Sequence, residues 1–260
     1  MTHAQWLEFL LDLADRADAI ALSYFRSAAL SPTQKADQTP VTAADLAIER
    51  MVREQAAQRH PGIGLYGEEF GRTNDAARTR LIVDPIDGTA NFARGVPIFA
   101  TLLALEHEGD VIAGVASAPA LGTRWSAARG LGARRGAERI TVSRIERLGE
   151  AQLFHAGLGG GERLGELPGL MELVRRTKRQ RGFGDFYQDV LVAEGAGEIA
   201  LDLGLAPWDV AALQVIIEEA GGRATSLDGR RDIYAGSLVS SNGVLHDEVL
   251  AILSARPTAG

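Results

Sequence analysis

The stretch Leu81-Ile82-Val83-Asp84-Pro85-Ile86-Asp87-Gly88-Thr89 narrows the possible folds more than any other part of this chain. Its apolar start is consistent with a buried strand that delivers Asp84 at its end. Pro85 stiffens the following turn, and a second acid three residues on lets two carboxylates aim at one point. Carboxylates gathered in this way repel unless cations hold them together, and hard oxygen ligands favour Mg²⁺. Gly88 lets the backbone approach a ligand closely, and Thr89 can open a helical turn whose N–H groups face a phosphate. Taken alone, Asp-Gly is usually no more than a turn.

The rest of the composition sets the frame for that segment. At ~150 residues per domain, 260 residues suggest one large domain or two closely joined halves. A content of 46% hydrophobic and 23% charged residues is that of a soluble globular protein with material for a substantial core. Aromatics are only 6%, so that core rests on Ala, Leu, Val and Ile. The formal charge is −7, and the densest basic run is Arg175 to Arg181. Neither suggests a nucleic-acid or membrane partner, and a phosphorylated substrate can still bind where metal ions reverse the local charge. Zero cysteines exclude disulfides, thiolate zinc sites, iron–sulfur ligation and a cysteine nucleophile. Met1 to Leu11 lacks the basic segment of a signal peptide, and the nearly apolar run Ile98 to Leu105 is far short of the ~20 residues that cross a bilayer. A cytoplasmic enzyme is the default expectation.

Periodicity predicts amphipathic helices over roughly 4–27 and 42–59. A polar loop with two prolines, 31–40, separates them. Phe99–Glu106 and Val111–Ser117 read as a hairpin, and Thr123–Ala127 as a further strand. In the second half, helices are expected over Leu164–Thr177, Phe186–Ala193, Trp208–Ala220 and His246–Leu253, with strands at Ile199–Leu203 and Leu238–Ser241. That alternation argues for layered α/β structure. A seam near 140–150 divides the chain into 1–145, carrying most of the candidate ligands, and 146–260, carrying Asp209 and substrate-side residues. No proline-rich linker marks the seam, so the halves are expected to pack tightly.

Four further features carry weight only together. Glu68 and Glu69 follow Gly67, and as a pair they read most simply as solvated surface. Asp209 in Trp208-Asp209-Val210-Ala211-Ala212 fits an acid in the first turn of a helix. Asp45 completes Thr42-Ala43-Ala44-Asp45, which matches a capping box. Lys35 lies in the polar loop. In this order, with Glu219-Ala220-Gly221-Gly222 downstream, these motifs and the central hexapeptide resemble the inositol monophosphatase family, from Lys35 to Asn242.

The resemblance implies a layered α-β-α-β-α sugar-phosphatase fold and a Mg²⁺-dependent phosphomonoesterase. By it, Glu68 and Asp84, with the carbonyl of Ile86, bind the first Mg²⁺. Asp84, Asp87 and Asp209 bind the second, and Glu68 helps hold a weaker third through waters. Thr89 and Asp45 polarise the attacking water, while the Gly88 and Thr89 amides receive the phosphate. Metal ions ~3.5–4 Å apart stabilise both the attacking and the leaving oxygen of an in-line displacement. A homodimer and sensitivity to Li⁺ are implied as well.

A narrower likeness lies in Arg181-Gly182-Phe183-Gly184-Asp185-Phe186, in Leu191-Val192-Ala193-Glu194-Gly195, in Ser226-Leu227-Asp228-Gly229 and in Ser241 to Glu248, together with Gly71 and Arg94-Gly95-Val96-Pro97. These look like the histidinol-phosphate phosphatase branch. They imply L-histidinol phosphate as substrate, hydrolysed to L-histidinol and phosphate in histidine biosynthesis, with Arg181, Asp185 and Asn242 on the substrate side of the pocket. An inositol 1-phosphate or broad sugar-phosphate specificity is the alternative.

Other chemistries fit less well. The haloacid-dehalogenase pattern Asp-x-Asp-Gly-Thr spaces its acids two apart, whereas Asp84 and Asp87 are three apart. Gly157-Leu158-Gly159-Gly160-Gly161-Glu162 lacks the final glycine of a dinucleotide fingerprint. No Gly-x-Ser-x-Gly elbow is present, and the five histidines show no zinc-ligand spacing. A non-catalytic metal-binding module on the same scaffold is the remaining rival, but a degenerate relative is expected to have lost an acidic ligand.

Overall fold

The apolar runs at 99–117 pair as a hairpin, and a large sheet grows from them in both directions. The computed structural model of the protein describes residues 1–27, 33–34, 40–159 and 164–255. Lys35 and the end of the glycine run, Gly160 and Gly161, lie outside them. The chain begins with α1 (His3–Tyr24), a small antiparallel pair β1 (Thr33–Gln34) and β2 (Pro40–Val41), and α2 (Ala43–Arg59). It continues through β3 (Gly64–Gly67), β4 (Gly71–Thr73), β5 (Thr79–Asp87) and the short α3 (Thr89–Ala93). Five strands follow: β6 (Ala100–His107), β7 (Asp110–Ala118), β8 (Thr123–Ala128), β9 (Gly132–Arg135) and β10 (Glu138–Arg139). The second half comprises β11 (Gln152–His155), α4 (Leu170–Arg176), β12 (Arg179–Gly182), α5 (Asp185–Ala193), β13 (Ile199–Leu203), α6 (Pro207–Glu219), β14 (Arg223–Thr225), β15 (Ser237–Ser241) and α7 (His246–Ser254).

Strands β3 to β10 make an eight-stranded sheet in the order β10-β9-β8-β7-β6-β5-β3-β4. It is antiparallel except where β3 runs parallel to β5. The remaining strands make a five-stranded sheet, β12-β11-β13-β15-β14, in which β11 is parallel to both its neighbours. Phe9, Leu10, Leu13 and Ala17 of α1 and Ile48 and Val52 of α2 fall on helical stripes and bury against one face of the large sheet. The other face meets α5 and α6, which also pack on the small sheet. The outer face of the small sheet is covered by Leu170 and Leu173 of α4 and Val249, Ile252 and Leu253 of α7. Five layers result, α-β-α-β-α.

Helix α6 is the keystone of that stack. Every residue from Val210 to Ile217 is buried, as a helix with a sheet on either side requires. Each fully buried Val, Leu or Ile there contributes about 1.5–3 kcal/mol. Its core joins Ala116 and Trp125 of the first half to Phe186, Val190 and Leu238 of the second. The seam itself is pinned by backbone: Val142 N–H donates to the Ala220 carbonyl at 3.1 Å.

The expected helices and strands form within a few residues of their predicted ends, with one correction. The helix expected over 164–177 is a single 3₁₀ turn, Leu164–Glu166, followed by α4 from Leu170. Pro168 has no N–H to donate and disfavours helical backbone at the residue before it. The strands that periodicity does not reveal, β1 and β2 within or at the end of the expected loop, β3, β4, β9 to β12 and β14, are two to four residues long, and β3, β4, β9, β10, β12 and β14 carry Gly or Arg. The basic run at 175–181 ends α4 and becomes β12, the edge strand of the small sheet. Among the described residues no helix is long and apolar enough to cross a membrane.

Candidate active site

Residues three apart on a regular strand face opposite sides of a sheet. Asp84 and Asp87 nevertheless converge, because β5 carries an irregularity between them. Asp84 pairs with Leu102 and Asp87 with Ala100, so three steps on β5 match two on β6. The extra residue is a bulge, which turns both carboxylates to one side. The Thr101 hydroxyl holds the bulge by donating to the Pro85 carbonyl at 2.8 Å. Directly after it, Gly88 takes a left-handed backbone (φ 80°) that lets the chain turn into α3. The Thr89 hydroxyl donates back to the Ile86 carbonyl at 2.9 Å.

Two other segments complete the acidic cluster. Asp209 lies in the first turn of α6, after Pro207, and its Oδ2 accepts from the Ala206 N–H at 2.7 Å. A carboxylate oxygen from each of Asp84, Asp87 and Asp209 lies within 4.8 Å of the other two. Glu68 stands at the tip between β3 and β4, its N–H donating to the Val83 carbonyl of β5. An edge-to-face contact of Tyr66 with Trp208, centroids 5.2 Å apart, ties the segment bearing Glu68 to the helix bearing Asp209.

Charge crowding in this cluster is severe. Burial, followed by the charges of Glu68, Asp87 and Asp209, drives the Asp84 carboxyl far above the usual range. Burial, followed by Asp185 and Asp209, does the same to Asp87. Burial also pushes Asp209 up to about 7, against the pull of the Ala206 N–H. Asp84 Oδ1 is buried with no hydrogen-bond partner. Orphaned, crowded carboxylate oxygens beside a backbone carbonyl form an all-oxygen donor set, which fits a hard divalent cation. The residues present therefore suit Mg²⁺.

Asp45 spends one of its two oxygens on structure. Its Oδ2 accepts from the N–H and the hydroxyl of Thr42, closing the expected capping box on α2. Its Oδ1 is buried without a partner. Burial raises this carboxyl to about 6 despite the Thr42 hydrogen bonds, and the charge of Glu68 adds to the rise. The structural and the chemical reading of the Thr-x-x-Asp motif are thus compatible.

A cavity of about 280 Å³ opens over the cluster. Of the residues singled out in the sequence, it brings together Glu68, Asp84, Ile86, Asp87, Gly88, Thr89, Asp185 and Asp209. Asp185 carries an uncommon positive φ of 50°, a strain that side chains accept chiefly where function demands it. Its Oδ2 accepts from Asn91 Nδ2 at 2.9 Å. The first turn of its helix is also held by Asp87, whose Oδ2 accepts from the Phe186 N–H at 2.7 Å.

Arg181 and Asn242, expected on the substrate side, do not reach this cavity. Arg181 is exposed on the edge strand β12, and its guanidinium donates to the Gln180 carbonyl. Asn242 is only 2% exposed and is consumed by structure. Its amide donates to the Ile145 carbonyl at 2.8 Å and its oxygen accepts from the Leu245 N–H, so it staples the seam to the end of β15. Asp202, which sequence reasoning missed, lines the same cavity, and its charge adds to the rise of Asp87. It sits in the apolar strand β13, where an acid interrupting Ile199–Leu203 is the signal that could have found it.

A five-layered fold with a carboxylate cluster under a cavity of about 280 Å³ fits a class of metal-dependent phosphoesterases, and the comparisons agree with that class. The sequence profile of the inositol monophosphatase family matches residues 3–258, and the chain belongs to that family. It is 46% identical to the histidinol-phosphatase of Mycobacterium tuberculosis (strain ATCC 25618 / H37Rv), covering 98% of this chain and 100% of that protein. It is 42% identical to the histidinol-phosphatase of Streptomyces coelicolor (strain ATCC BAA-471 / A3(2) / M145), covering 94% and 95%. Among solved structures, the extragenic suppressor protein suhB from Bartonella henselae superposes with a TM-score of 0.88 at 27% identity, covering 96% of this chain and 98% of that one.

Proposed function

We propose that the protein is a Mg²⁺-dependent phosphomonoesterase that hydrolyses L-histidinol phosphate to L-histidinol and phosphate, a step of histidine biosynthesis. The observation that carries the reading is the convergence of Asp84, Asp87 and Asp209 within 4.8 Å, on a bulged strand and a helix start that hold them there. Likeness to two histidinol-phosphatases at 46% and 42% identity over nearly the whole chain supports the substrate.

Glu68, Asp84 and the Ile86 carbonyl would hold one Mg²⁺, and Asp84, Asp87 and Asp209 a second, with Glu68 helping a weaker third. Bound there, the ions supply charge neutralisation on the phosphate and a lowered pKa for water. The rest is positioning by the chain. The Thr89 hydroxyl spends its proton on the Ile86 carbonyl, so its oxygen is left to accept from a water and orient it. Asp45 Oδ1, fixed because Thr42 holds the other oxygen, draws the water's proton. The Gly88 and Thr89 amides receive the phosphate oxygens. Asp185, which lines the same cavity beside Gly88, would face the ammonium end of histidinol phosphate, which an inositol lacks. Pre-set charges and dipoles of this kind act at full strength because nothing has to reorganise during the reaction.

The same reading has the enzyme working in the cytoplasm as a homodimer on a small phosphorylated substrate, with neither nucleic acid nor membrane as a partner. It also has Li⁺ inhibiting by displacing Mg²⁺ near Asp209. The family likeness supports an inositol 1-phosphate or broad sugar-phosphate specificity as the second reading. Comparing kcat/KM on histidinol phosphate and inositol 1-phosphate tests the choice. A clear preference for histidinol phosphate is expected, and a preference for inositol 1-phosphate would replace the substrate while keeping the reaction.

A further inference from the structure

Glu49 is an acid on α2 with no exposed surface at all, one helical turn past Asp45 and outside the cavity. A buried carboxylate is costly unless its oxygens are used, and both of these are. Oε2 accepts from the Glu69 N–H at 2.7 Å and Oε1 from the Phe70 N–H at 3.1 Å. Arg53, a further turn along α2, closes the grip. Its Nε donates to Glu49 Oε1 at 2.8 Å and its Nη2 to the Gly71 carbonyl at 2.5 Å. The tip Glu68-Glu69-Phe70 between β3 and β4 is thus wrapped around one carboxylate. With the Glu68 N–H donating to Val83, all three amides of the tip are fixed. Gly67 shows how tight the wrapping is, since a Cβ there would stand 2.1 Å from Glu49 Oε1.

We propose that Glu49 is a positioning residue for the metal site: it sets the direction of the Glu68 carboxylate by holding the two backbone amides that follow it, and Gly67, just before it, is glycine to admit the Glu49 carboxylate. The proposal rests on the reading of Glu68 as a Mg²⁺ ligand. Glu49 touches neither substrate nor metal; it acts through the tip. Only a carboxylate suits the place, because two N–H groups and a guanidinium all point at it as donors. A glutamine would turn its own NH₂ toward one of them. Partners behind a ligand characteristically alter metal affinity or activity by 10–100-fold when lost.

The test is calorimetric titration of the metal-free protein with Mg²⁺, alongside phosphate release at varied Mg²⁺. Glu49→Gln is expected to weaken Mg²⁺ binding at least ~10-fold. Its turnover should fall at low Mg²⁺ and recover at saturating Mg²⁺. Gly67→Ala, which crowds the same carboxylate from the other side, should act in the same direction and carries the test if Glu49→Gln does not fold. Thermal unfolding of the metal-free variants separates positioning from scaffold. A lowered Tm with unchanged Mg²⁺ affinity would make Glu49 a structural residue only and overturn the proposal. Asp84→Asn serves as the reference: if it abolishes Mg²⁺ binding while Glu49→Gln and Gly67→Ala bind as the wild type does, the phosphatase reading stands and the role of Glu49 falls. Wild-type protein that binds no Mg²⁺ would sink both.

Discussion

On the metal-ligand side of the cavity, Asp84, Asp87 and Gly88 hang from β5, which is hydrogen-bonded to β6 on one side and β3 on the other in the middle of the large sheet. Beside them in the same cavity, Asp185 and Asp202 come from the first residue of α5 and the small sheet; Asp185 occupies left-handed backbone and lies so near that a Cβ on Gly88 would stand 3.2 Å from its Oδ2. The first wall is built by a bulge whose path is locked by Thr101 and Thr89. The second is set against it by hydrogen bonds at the start of α5: Asn91 Nδ2 donates to Asp185 Oδ2 and the Phe186 N–H to Asp87 Oδ2. The charges proposed to act on metal and phosphate thus hang mainly from one bulged strand, and the charge proposed to select the rest of the substrate comes from a helix start that touches it.

That contrast predicts unequal effects of the same chemical change. Asp87→Asn removes one charge from the first wall while an oxygen remains to accept from the Phe186 N–H. Activity is expected to fall by at least ~10²-fold, the scale of losing a main electrostatic element of a site, with the circular dichroism spectrum unchanged. Wild-type turnover at saturating Mg²⁺ would show that Asp87 is not a ligand and that the walls do not divide the work in this way.

Asp185→Asn makes the equivalent change on the other wall. A hydrogen bond to a charged group contributes about 1.5–3 kcal/mol, and each ~1.4 kcal/mol is tenfold in kcat/KM. The loss toward histidinol phosphate is therefore roughly ten- to a hundredfold, while a small uncharged phosphate ester is hydrolysed almost as before. Equal losses on both substrates would mean that Asp185 supports the structure and selects nothing.

The smallest expected effect is on stability, and it follows from the raised carboxyls of the metal-ligand wall. An acid whose folded pKa lies above its unfolded value of about 3.9 binds more protons folded than unfolded between the two. Its contribution is favourable at low pH and is lost as the pH climbs from about 4 through the folded value, about 6 for Asp45 and about 7 for Asp209. Mg²⁺ needs the deprotonated forms, so the rise in Tm on adding Mg²⁺ should be larger at pH 8 than at pH 5. Each 1 kcal/mol is worth about 2–4 °C in a chain of this size. A Mg²⁺-induced shift that is the same at both pH values would place the cation away from these groups.

Asp84 and Asp87 are legible in the sequence because the apolar run, the proline and the glycine around them are local signals, and the bulge they imply forms within one strand. The long helices α1, α2 and α6 are legible because burial on one or all sides imposes a period. Arg181 and Asn242 do not line the cavity, because their surroundings depend on which strand becomes an edge and which loop meets the end of β15. Neither is encoded in neighbouring residues. Glu49 borders an apolar stripe that runs through Ala44, Ile48 and Val52, which marks it as buried, but its partners arrive from a hairpin tip some twenty residues on. Asp45 is legible as a cap, whereas the burial of its second oxygen without a hydrogen-bond partner is visible only in the structure.

The central claim, a carboxylate cluster that works through Mg²⁺ on a phosphate monoester, is tested most directly by phosphate release from histidinol phosphate after EDTA treatment and again after Mg²⁺ is restored. The account predicts that release stops in EDTA and returns with Mg²⁺. Release that persists undiminished in EDTA, or none at any Mg²⁺ concentration, would contradict it.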